Sequence, residues 1–383
     1  MNTDVAVVGG GLAGLALARA LRGLSVALIA PQRAAVAPGL DSRVYAITPG
    51  NAAFLAELRV WQTLAPERIT PVRAMRVFGD DGTSVLEFDA YRAGVSELAW
   101  IVEDGLLQEA LWRSLDARDG LAVLTPAHCA GLEVAARQVR LGLEDGRQLV
   151  AGLVVGADGA RSLVRERAGI AATDTPYAQS AVVANFACER AHRNTAFQWF
   201  QGGPVLALLP LPGNHVSMVW STGAAQAARL LALDAAALCG EVAAASRQTL
   251  GELGLVSAPR AFPLRRLSAQ RLVAPRVALL GDAAHVIHPL AGQGANLGLQ
   301  DARALAAVLA GREPQRDPGE IGLLRRYERA RARDVLAMDA TVHGLYRLFE
   351  VAAGPLARWR NTGLNLADRL PVLKNLLIRQ AMA

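Results

Sequence analysis

Residues 276–296 decide how this chain is organised: Arg276-Val-Ala-Leu-Leu-Gly281-Asp282-Ala-Ala-His285-Val-Ile-His288-Pro289-Leu-Ala-Gly292-Gln293-Gly294-Ala-Asn296. The apolar run from Val277 to Leu280 ends in a Gly-Asp pair, which predicts a buried strand that stops at a functional site. The segment from Pro289 to Gly294 carries little side-chain bulk and predicts a tight loop. The stretch therefore predicts a strand end followed closely by a compact loop.

A helix is expected to begin at about Ala295, because apolar residues then recur at helical spacing. These residues are Leu297, Leu299, Ala302, Leu305 and Val308. The first N–H groups of a helix lack partners within it, and the helix dipole is positive at that end. This end therefore suits an anionic or electron-rich planar ligand, and Asp282 is placed to accept hydrogen bonds from a polyol.

The composition is that of a globular protein for which no membrane-spanning helix is expected. Hydrophobic residues make up 52% and charged residues 19% of the 383 residues, and the chain lacks the run of about 18 apolar residues that a spanning helix needs. No basic segment precedes the first predicted strand, so no signal peptide is expected. Three scattered cysteines without metal-ligand spacing (Cys129, Cys188 and Cys239) indicate a reducing compartment and no metal site. We therefore expect a cytoplasmic protein.

The charge balance and the C-terminal segment bear on possible partners. The formal net charge is +6, which either reflects general amino-acid usage or attracts an anionic lipid or cofactor. No basic stripe interleaved with aromatic residues occurs, which argues against a nucleic-acid partner. From Gly354 onward, apolar and basic residues mix with only Asp368 acidic, and two short amphipathic helices are predicted to meet at Pro371. This segment contacts a membrane surface or a partner protein, or it packs on the core of its own chain.

A glycine-rich turn near the N-terminus has the spacing Gly9-x-Gly11-x-x-Gly14, with Ala13 inside it. It lies between a predicted strand, Asp4 to Val8, and a predicted helix, which is the context of a dinucleotide-binding fingerprint. Glycines there permit a tight turn, a close approach of the backbone to a pyrophosphate, and close packing of the helix on the strand. A glycine-rich turn without a ligand is the alternative.

The second predicted strand, Val26 to Ile29, departs from the dinucleotide-binding pattern. An Asp or Glu that binds the adenosine ribose usually ends this strand, whereas this chain has Ala30, followed by Pro31-Gln32-Arg33. Either Gln32 or Arg33 substitutes for the acid, or the ribose is held more weakly, in which case Ala30→Glu should lower the dissociation constant of the dinucleotide. Further on, Arg43 either neutralises the pyrophosphate or is a solvated loop arginine.

A second strand-to-Gly-Asp element occurs at Leu153-Val154-Val155-Gly156-Ala157-Asp158-Gly159, so three separate segments are predicted to converge on one sheet edge. Residues 104–115 predict a helix with a capping Asp at its start. Two runs, Val72 to Phe78 and Val85 to Phe88, predict a hairpin. Residues 177–270 alternate between apolar and polar side chains and predict an antiparallel sheet, with a helix near residues 231–250. Its aromatic residues either line an apolar pocket or form core; they are Tyr177, Phe186, Trp199, Phe200 and Trp220.

Three motifs occur in the order Gly9-x-Gly11-x-x-Gly14, Asp158-Gly159 and Gly281-Asp282. In this order they resemble the flavin-dependent aromatic hydroxylases of the para-hydroxybenzoate hydroxylase fold. The string His288-Pro-Leu-Ala-Gly-Gln-Gly-Ala-Asn-Leu-Gly-Leu-Gln-Asp301 looks like the ubiquinone-biosynthesis hydroxylase branch of that family. Further agreement comes from Asp41-x-Arg43-x-x-Ala46, Tyr177-x-Gln179-x-Ala181 and Trp199-Phe200. The resemblance implies an α/β (α+β) fold, with a Rossmann-like FAD-binding domain, an interleaved antiparallel-sheet substrate domain and a helical C-terminus.

The resemblance also implies domain limits and site residues. The FAD-binding domain would comprise residues 1–70, 98–176 and 271–345, the substrate domain residues 71–97 and 177–270, and the amphipathic helices residues 346–383. The residues expected to bind FAD are Gly9, Gly11, Ala13, Gly14, Arg43, Gln108, Asp158, Gly281, Asp282, Pro289, Gly292, Gln293, Gly294, Ala295 and Asn296. The residues expected to line the substrate pocket are Tyr177, Trp199, Phe200, Leu208, Trp220 and Pro289.

The chemistry implied by the resemblance belongs to the flavin, so no catalytic side chain is assigned. NADPH or NADH would bind transiently and reduce FAD, and a flavin C4a-hydroperoxide formed with O2 would hydroxylate the ring of a prenylated phenol. Such an apolar substrate would place the protein at the inner face of a membrane, or beside partner proteins of quinone biosynthesis. The alternatives are hydroxylation of another small aromatic compound and a non-catalytic FAD-binding scaffold.

Overall fold

The structure is a computed structural model that describes residues 1–33, 36, 39–81, 83–116, 118–288 and 293–350. Two expected FAD-binding residues, Pro289 and Gly292, lie outside the described residues, as does the segment around Pro371. Within the described residues the α-helices are α1 (Leu12–Ala20), α2 (Pro49–Glu57), α3 (Asp104–Leu115), α4 (Leu163–Arg167), α5 (Ala224–Ala232), α6 (Ala235–Ala245), α7 (Gly294–Ala310) and α8 (Ile321–Glu350).

The strands form three sheets. In chain order they are β1 (Asn2–Val8), β2 (Val26–Ile29), β3 (Val44–Ile47), β4 (Thr70–Val72), β5 (Ala74–Phe78), β6 (Val85–Asp89), β7 (Ala99–Glu103), β8 (Leu121–Leu124), β9 (Cys129–Val134), β10 (Val139–Leu143), β11 (Gln148–Gly156), β12 (Ala172–Cys188), β13 (Thr195–Phe200), β14 (Val205–Leu211), β15 (His215–Gly223), β16 (Leu253–Leu255), β17 (Arg260–Ala269), β18 (Val273–Ala274), β19 (Val277–Leu279) and β20 (His285–Val286).

The first sheet places the predicted strand ends side by side. Its order is β18-β19-β11-β1-β2-β8, and the strands from β19 to β8 are parallel. Val8 is in register with both Ile29 and Gly156, and Gly156 is in register with Leu279. The carboxyl ends of β2, β1, β11 and β19 therefore form one edge, as the sequence predicted, and this edge is where open α/β sheets bind ligands.

The second sheet has the order β20-β17-β12-β15-β14-β13-β5-β6 and is antiparallel except between β13 and β5, which are parallel. One face is covered by α5 and α6, which bury Leu230, Leu238 and Val242 against it. The opposite face packs near β13 and β14 against the third sheet, β3-β7-β4. The α/β fold class, with a Rossmann-like sheet and a largely antiparallel one, is confirmed.

Three local predictions are corrected. The helix predicted near residues 231–250 is two helices, because Asp234 starts a new one by accepting a hydrogen bond from the Ala237 N–H (2.8 Å). Val72 belongs to β4 in the third sheet and not to the β5–β6 hairpin. Asp104 does not cap α3: the N-cap is Glu103, whose side chain makes no capping hydrogen bond.

The long helix α8 is fixed to the first sheet near the predicted site. The Tyr327 hydroxyl donates a hydrogen bond to the carbonyl oxygen of Leu279 in β19 (2.8 Å), and Tyr327 is fully buried. Of the helices in the described part of the chain, none combines the length and the apolar character needed to cross a bilayer.

Candidate active site

The glycine turn after β1 is shaped by close backbone contacts. Gly9 has φ +120°, and a Cβ there would lie 2.0 Å from the carbonyl oxygen of Ala157; a Cβ at Gly14 would lie 2.2 Å from the carbonyl oxygen of Gly9. A Cβ at Gly11 would have no atom within 4 Å. Gly9 and Gly14 are thus required by the turn itself, whereas Gly11 borders open space. A phosphate-bearing cofactor such as FAD fits this arrangement, because the backbone can approach it closely.

Small residues also bring α1 and α7 close to the end of β19. A Cβ at Gly281, which has φ +53°, would lie 3.5 Å from the Ala13 Cβ, and one at Gly298 would lie 3.3 Å from it. The first expected site, at Gly9 to Gly14, and the second, at Gly281 and Asp282, are therefore parts of one surface. A larger side chain than that of Ala13 would separate them.

The two acids at the strand ends differ in what their side chains do. Asp158 accepts hydrogen bonds from the Ser162 hydroxyl and the Val164 N–H (3.1 Å), so its carboxylate helps to start α4. Asp282 is exposed at the cradle, the sheet edge formed by the ends of β1, β11 and β19 together with the N-terminus of α7. Although Asp282 is accessible to solvent, partial desolvation by the surrounding protein raises the pKa of its carboxyl, and the positive charges of Arg43 and His285 offset part of this rise. Asp282 is thus the strand-end acid that remains available to a ligand.

A buried ionic network lies beneath Gly281 and Asp282. The carboxylate of Asp301, on α7, accepts hydrogen bonds from the Gly281 N–H (3.0 Å), His285 Nε2 (2.7 Å) and Arg331 Nε (2.7 Å). Asp301 is fully buried, and His285 and Arg331 are each 4% exposed. Burial lowers the pKa of His285, but the Asp301 carboxylate more than offsets this effect, so the pKa is raised. The raised pKa favours the protonated form of His285 beside the buried carboxylate, and the network fixes the Gly281 backbone.

The N-terminus of α7 faces the same edge. Its N-cap is Gln293, whose side chain makes no capping hydrogen bond, and Gly294 and Ala295 form the first turn. The Asn296 side chain is fully buried; it donates to the carbonyl oxygen of Ala46 (2.7 Å) and accepts from the Thr48 N–H (3.1 Å). Asn296 therefore anchors the helix, and what the first turn offers a ligand is backbone N–H groups and the positive end of the dipole.

Arg43 and Gln108 meet at Asp104 on the other side of the cradle. Arg43 Nε lies 3.7 Å from Asp104 Oδ2, and the guanidinium lies over the Tyr45 ring at 5.5 Å. Gln108 Nε2 donates to Asp104 Oδ1 (2.7 Å). Arg43 is half exposed, since 59% of its side chain is accessible, so its cation remains accessible to an anion.

Ala30 follows β2 at the position where a dinucleotide-binding fold usually has an acid. Ala30 is fully buried, and a Cβ placed on Gly10 would meet both the Ala30 Cβ (2.8 Å) and the Trp112 ring (3.0 Å). Arg33 lies over the Trp112 ring at 5.7 Å and 3.5 Å from the Glu109 carboxylate. Ala30 and the Trp112 ring thus both border Gly10, and we expect the ring to obstruct a longer side chain at position 30.

Three of the residues expected in the substrate pocket lie on the covered face of the second sheet. Trp199, Leu208 and Trp220 are at most 3% exposed and belong to the core cluster beneath α5 and α6. Strand alternation puts their side chains on the face opposite to Asn185, which bonds to the carbonyl oxygen of Asp41 (2.9 Å). These three residues therefore belong to the core, which for Trp199 and Trp220 is the alternative that the sequence left open; their part in a substrate pocket stays a prediction.

Phe200 and Tyr177 occupy other surroundings. Phe200 packs with Val77, Leu86 and Val205. Together with Trp199 it also lines a cavity of about 550 Å³ at the end of β13, beside α6. No residue lining this cavity comes from the strand ends that carry Gly9, Asp158 and Gly281.

Tyr177 lies against two histidines near the cradle. Its ring contacts the His288 ring edge-on (centroids 4.8 Å apart), and its hydroxyl lies 3.5 Å from His343 Nδ1. His288 Nε2 lies 3.3 Å from Gln179 Oε1. Burial, followed by the charge of His343, lowers the pKa of His288 to about 4, so His288 is neutral at neutral pH. His288 directly precedes the loop that begins at Pro289.

Comparison with known proteins agrees with this geometry. Residues 2–340 match a family model described as FAD binding domain. The ubiquinone hydroxylase UbiL of Rhodospirillum rubrum is 37% identical over 384 residues, which cover 99% of this chain and 89% of the relative. The chain belongs to the family of FAD-dependent hydroxylases. Its cofactor is FAD, and it is a flavin-dependent monooxygenase.

Two further comparisons extend the match over the whole chain. The 3-demethoxyubiquinol 3-hydroxylase of Escherichia coli is 36% identical over 389 residues, 99% of this monooxygenase and 98% of that protein. Among solved structures, PqsL, a probable FAD-dependent monooxygenase from Pseudomonas aeruginosa, matches with a TM-score of 0.78 at 24% identity and covers 95% of this chain and 99% of its own. The latter likeness concerns the fold alone.

The sequence did not identify the buried network of this monooxygenase. Asp301 is four residues after Leu297 and four before Leu305, on the buried face of α7. Arg331 likewise follows Leu324 and Tyr327 on the buried face of α8. A charged residue in line with buried apolar ones requires a partner, and this signal would have shown that each of the two residues needs one, without identifying which.

Proposed function

We propose that this monooxygenase hydroxylates the aromatic ring of a polyprenylated phenol in ubiquinone biosynthesis, with NADPH or NADH as transient reductant and O2 as co-substrate. One observation carries the proposal: the ends of β1, β11 and β19 and the N-terminus of α7 form a single cradle at one sheet edge. We infer the type of substrate from relatives that are named as ubiquinone-pathway hydroxylases and that match 99% of the chain.

Different residues of the cradle would hold different parts of FAD. Gly9 to Gly14 and the accessible cation of Arg43 would hold the pyrophosphate, and Asp282 would accept hydrogen bonds from the ribityl hydroxyls. Gln293 to Asn296 present backbone N–H groups and the positive end of α7 to the flavin, which stabilises negative charge there. Asp158, which accepts hydrogen bonds at the start of α4, and Gln108, which donates a hydrogen bond to Asp104, stabilise the structure around these residues. FAD supplies the activation of dioxygen that a ring hydroxylation needs.

The substrate ring fits best on the face of the second sheet that points away from α5 and α6. Along β12 this face is joined to the flavin-binding part twice, at Gln179 with His288 and at Asn185 with Asp41. These two contacts are about 20 Å apart along the strand. Ala181 and Val183 lie between them on the same face. We place the ring there, with Tyr177 at the end nearer the loop from Pro289, because apolar walls exclude water from the reaction.

The domain division follows the first two sheets except at β20, which comes from the FAD-binding group and pairs with β17 of the second sheet. We assign residues 1–70, 98–176 and 271–345 to FAD binding and residues 71–97 and 177–270 to substrate binding. Residues 346–383 are assigned to a C-terminal segment whose first five residues, 346–350, end α8. In support, the six strands of the first sheet in the order given above all come from the first group, as do β9 and β10, which join that sheet through the β10–β11 pair. The β5–β6 hairpin joins the second sheet by pairing β5 with β13.

Complementation tests the proposed function. Strains that each lack one ring hydroxylation of ubiquinone biosynthesis are supplied with the chain, and the quinone intermediates are identified by mass. We expect rescue of a single step, and no rescue by the Asp282→Ala variant. If the wild-type chain binds FAD in these strains and rescues none of the steps, the protein is not a ubiquinone-pathway hydroxylase.

A further inference from the structure

The exposed face of α8 is basic along its described length. Three arginines spaced four residues apart, Arg325, Arg329 and Arg333, share this face with Arg326, and all four side chains are exposed. At 100° per residue the four lie within an arc of about 100°. The same arc contains Leu336, which is 69% exposed. A helix that is apolar on its buried side here presents four cations and one large apolar side chain to the outside.

The basic face forms no ion pair within the described residues, although the charge of Arg326 acts on Glu320. None of the four arginines has an ion pair or a hydrogen bond from its side chain there. Acids of the helix and its start have partners elsewhere: Asp334 pairs with Arg331 (3.0 Å) and Glu320 with Arg316 (2.7 Å), and the Glu328 carboxylate accepts a hydrogen bond from the Leu272 N–H (2.8 Å). Asp339 pairs with Arg266 of β17. The positive charge of the face is therefore not used for folding.

The basic face lies on the outside of the helix that covers the proposed reaction site. On its inner side, Met338 packs against Ile287 and Leu297, which flank the loop from Pro289. One turn further on, His343 approaches Tyr177. Because an α-helix with its side chains is about 10 Å thick, a surface bound to the basic face would lie close to the proposed site.

The charge of the chain limits which partner can bind the basic face of α8: the C-terminal residues, a second copy of the chain or an external surface. Residues 351–383 contain one acid, Asp368, against five bases, so they repel a basic face; the bases are Arg358, Arg360, Arg369, Lys374 and Arg379. A second copy meeting the first through the same face would place arginines against arginines. The complementary partner is therefore anionic and outside this chain. The exposed Leu336 among the arginines suits a surface that is charged at the outside and apolar beneath.

We propose that the basic face of α8 docks this monooxygenase on an anionic phospholipid bilayer. The proposal deepens the proposed function, because a polyprenylated phenol resides in a bilayer and must be collected from it. Each basic residue near such a surface strengthens binding about fivefold, and the contact weakens as salt screens it.

Vesicle sedimentation of the full-length, FAD-loaded protein tests the proposal. The vesicles contain phosphatidylcholine alone or with phosphatidylglycerol. The test variant replaces the four arginines of the face by glutamine. The control variant replaces four exposed arginines without described side-chain partners elsewhere in the chain, namely Arg22, Arg137, Arg140 and Arg260. Both variants lose four charges, so a difference between them reports the location of the charges and not their number.

The expected result is binding of wild type and control to the anionic vesicles, weaker binding at high salt, and at least tenfold weaker binding of the test variant. Bound FAD and the unfolding temperature should be unchanged in both variants. Absence of wild-type binding to anionic vesicles, or equal binding of both variants, overturns the proposal. Binding to polyglutamate but not to the vesicles would overturn it in favour of an acidic protein partner. Since no substrate is present, this result is independent of whether the proposed hydroxylation is correct.

Discussion

The Asp301→Asn substitution probes how far the flavin cradle depends on the buried network. Asp301 accepts three N–H donors, from Gly281, His285 and Arg331. An asparagine of the same shape has one acceptor oxygen, and its amide NH2 would face at least one of these donors. The substitution leaves no cavity, so its effect reports charge and hydrogen bonding alone.

The expected cost follows from the burial of the network. Removing one partner of a buried ion pair costs about 3–5 kcal/mol, because the other charge remains buried; Arg331 is 4% exposed. A chain of 383 residues unfolds with an entropy of about 0.8 kcal/mol per kelvin, at about 2.1 cal/mol/K per residue. The unfolding temperature should therefore fall by about 4–6 °C. FAD affinity should also fall, because the Gly281 backbone loses the acceptor that fixes it.

Thermal unfolding and FAD titration of the apoprotein measure both effects. Asp334→Asn is the matched control, since it removes the other carboxylate bound to Arg331 but from a side chain that is 64% exposed. An exposed pair contributes about 0–1 kcal/mol, so the control should change the unfolding temperature by about 1 °C or less. Equal effects of the two substitutions would refute the role given to the buried network.

Three further predictions concern single side chains. Gly11→Ala should leave the unfolding temperature unchanged, because its Cβ meets no atom within 4 Å, but should weaken FAD binding at least tenfold in a titration of the apoprotein; unchanged affinity would move the pyrophosphate away from Gly11. The raised pKa of His285 contributes stability that is present below about pH 6.5 and is lost as the pH rises through the raised pKa. The difference in unfolding temperature between wild type and His285→Gln should therefore be largest at acidic pH and shrink with rising pH, and a pH-independent difference would count against a charged His285. Ala30→Glu should lower the unfolding temperature and tighten FAD binding only when Trp112→Leu makes room for the carboxylate; tightening by the single substitution would show that the Trp112 ring does not obstruct it.

The parts of the fold that the sequence predicted are those set by local patterns. Strand β2 and helix α3 have the limits predicted, because apolar runs and helical periodicity are local properties. The convergence of Gly9, Asp158 and Gly281 was also predicted, since parallel strands end at one edge. The local rule failed at Asp104, which looks like a helix cap but is engaged by Gln108 and Arg43.

The parts that the sequence missed depend on which face of an element is covered. Alternation in β13 to β15 shows that the sheet face carrying Trp199 and Trp220 is buried. It does not show whether helices or the flavin-binding part cover that face; in the structure α5 and α6 cover it. The contact of Asp301 with Arg331 joins two helices whose packing angle no local pattern gives. Ala30 was recognised as a departure, whereas the Trp112 ring beside it comes from α3, more than eighty residues later in the chain.

The most direct test of the central claim is incorporation of isotopically labelled dioxygen by the purified, FAD-containing protein. A detergent-solubilised polyprenylated phenol is supplied with NADPH or NADH, and the product is analysed by mass spectrometry. The proposed function predicts substrate-dependent oxidation of the reductant and a ring hydroxyl that carries one labelled oxygen atom. A folded, flavin-containing protein that yields no product, or a product whose hydroxyl carries no label, would contradict it.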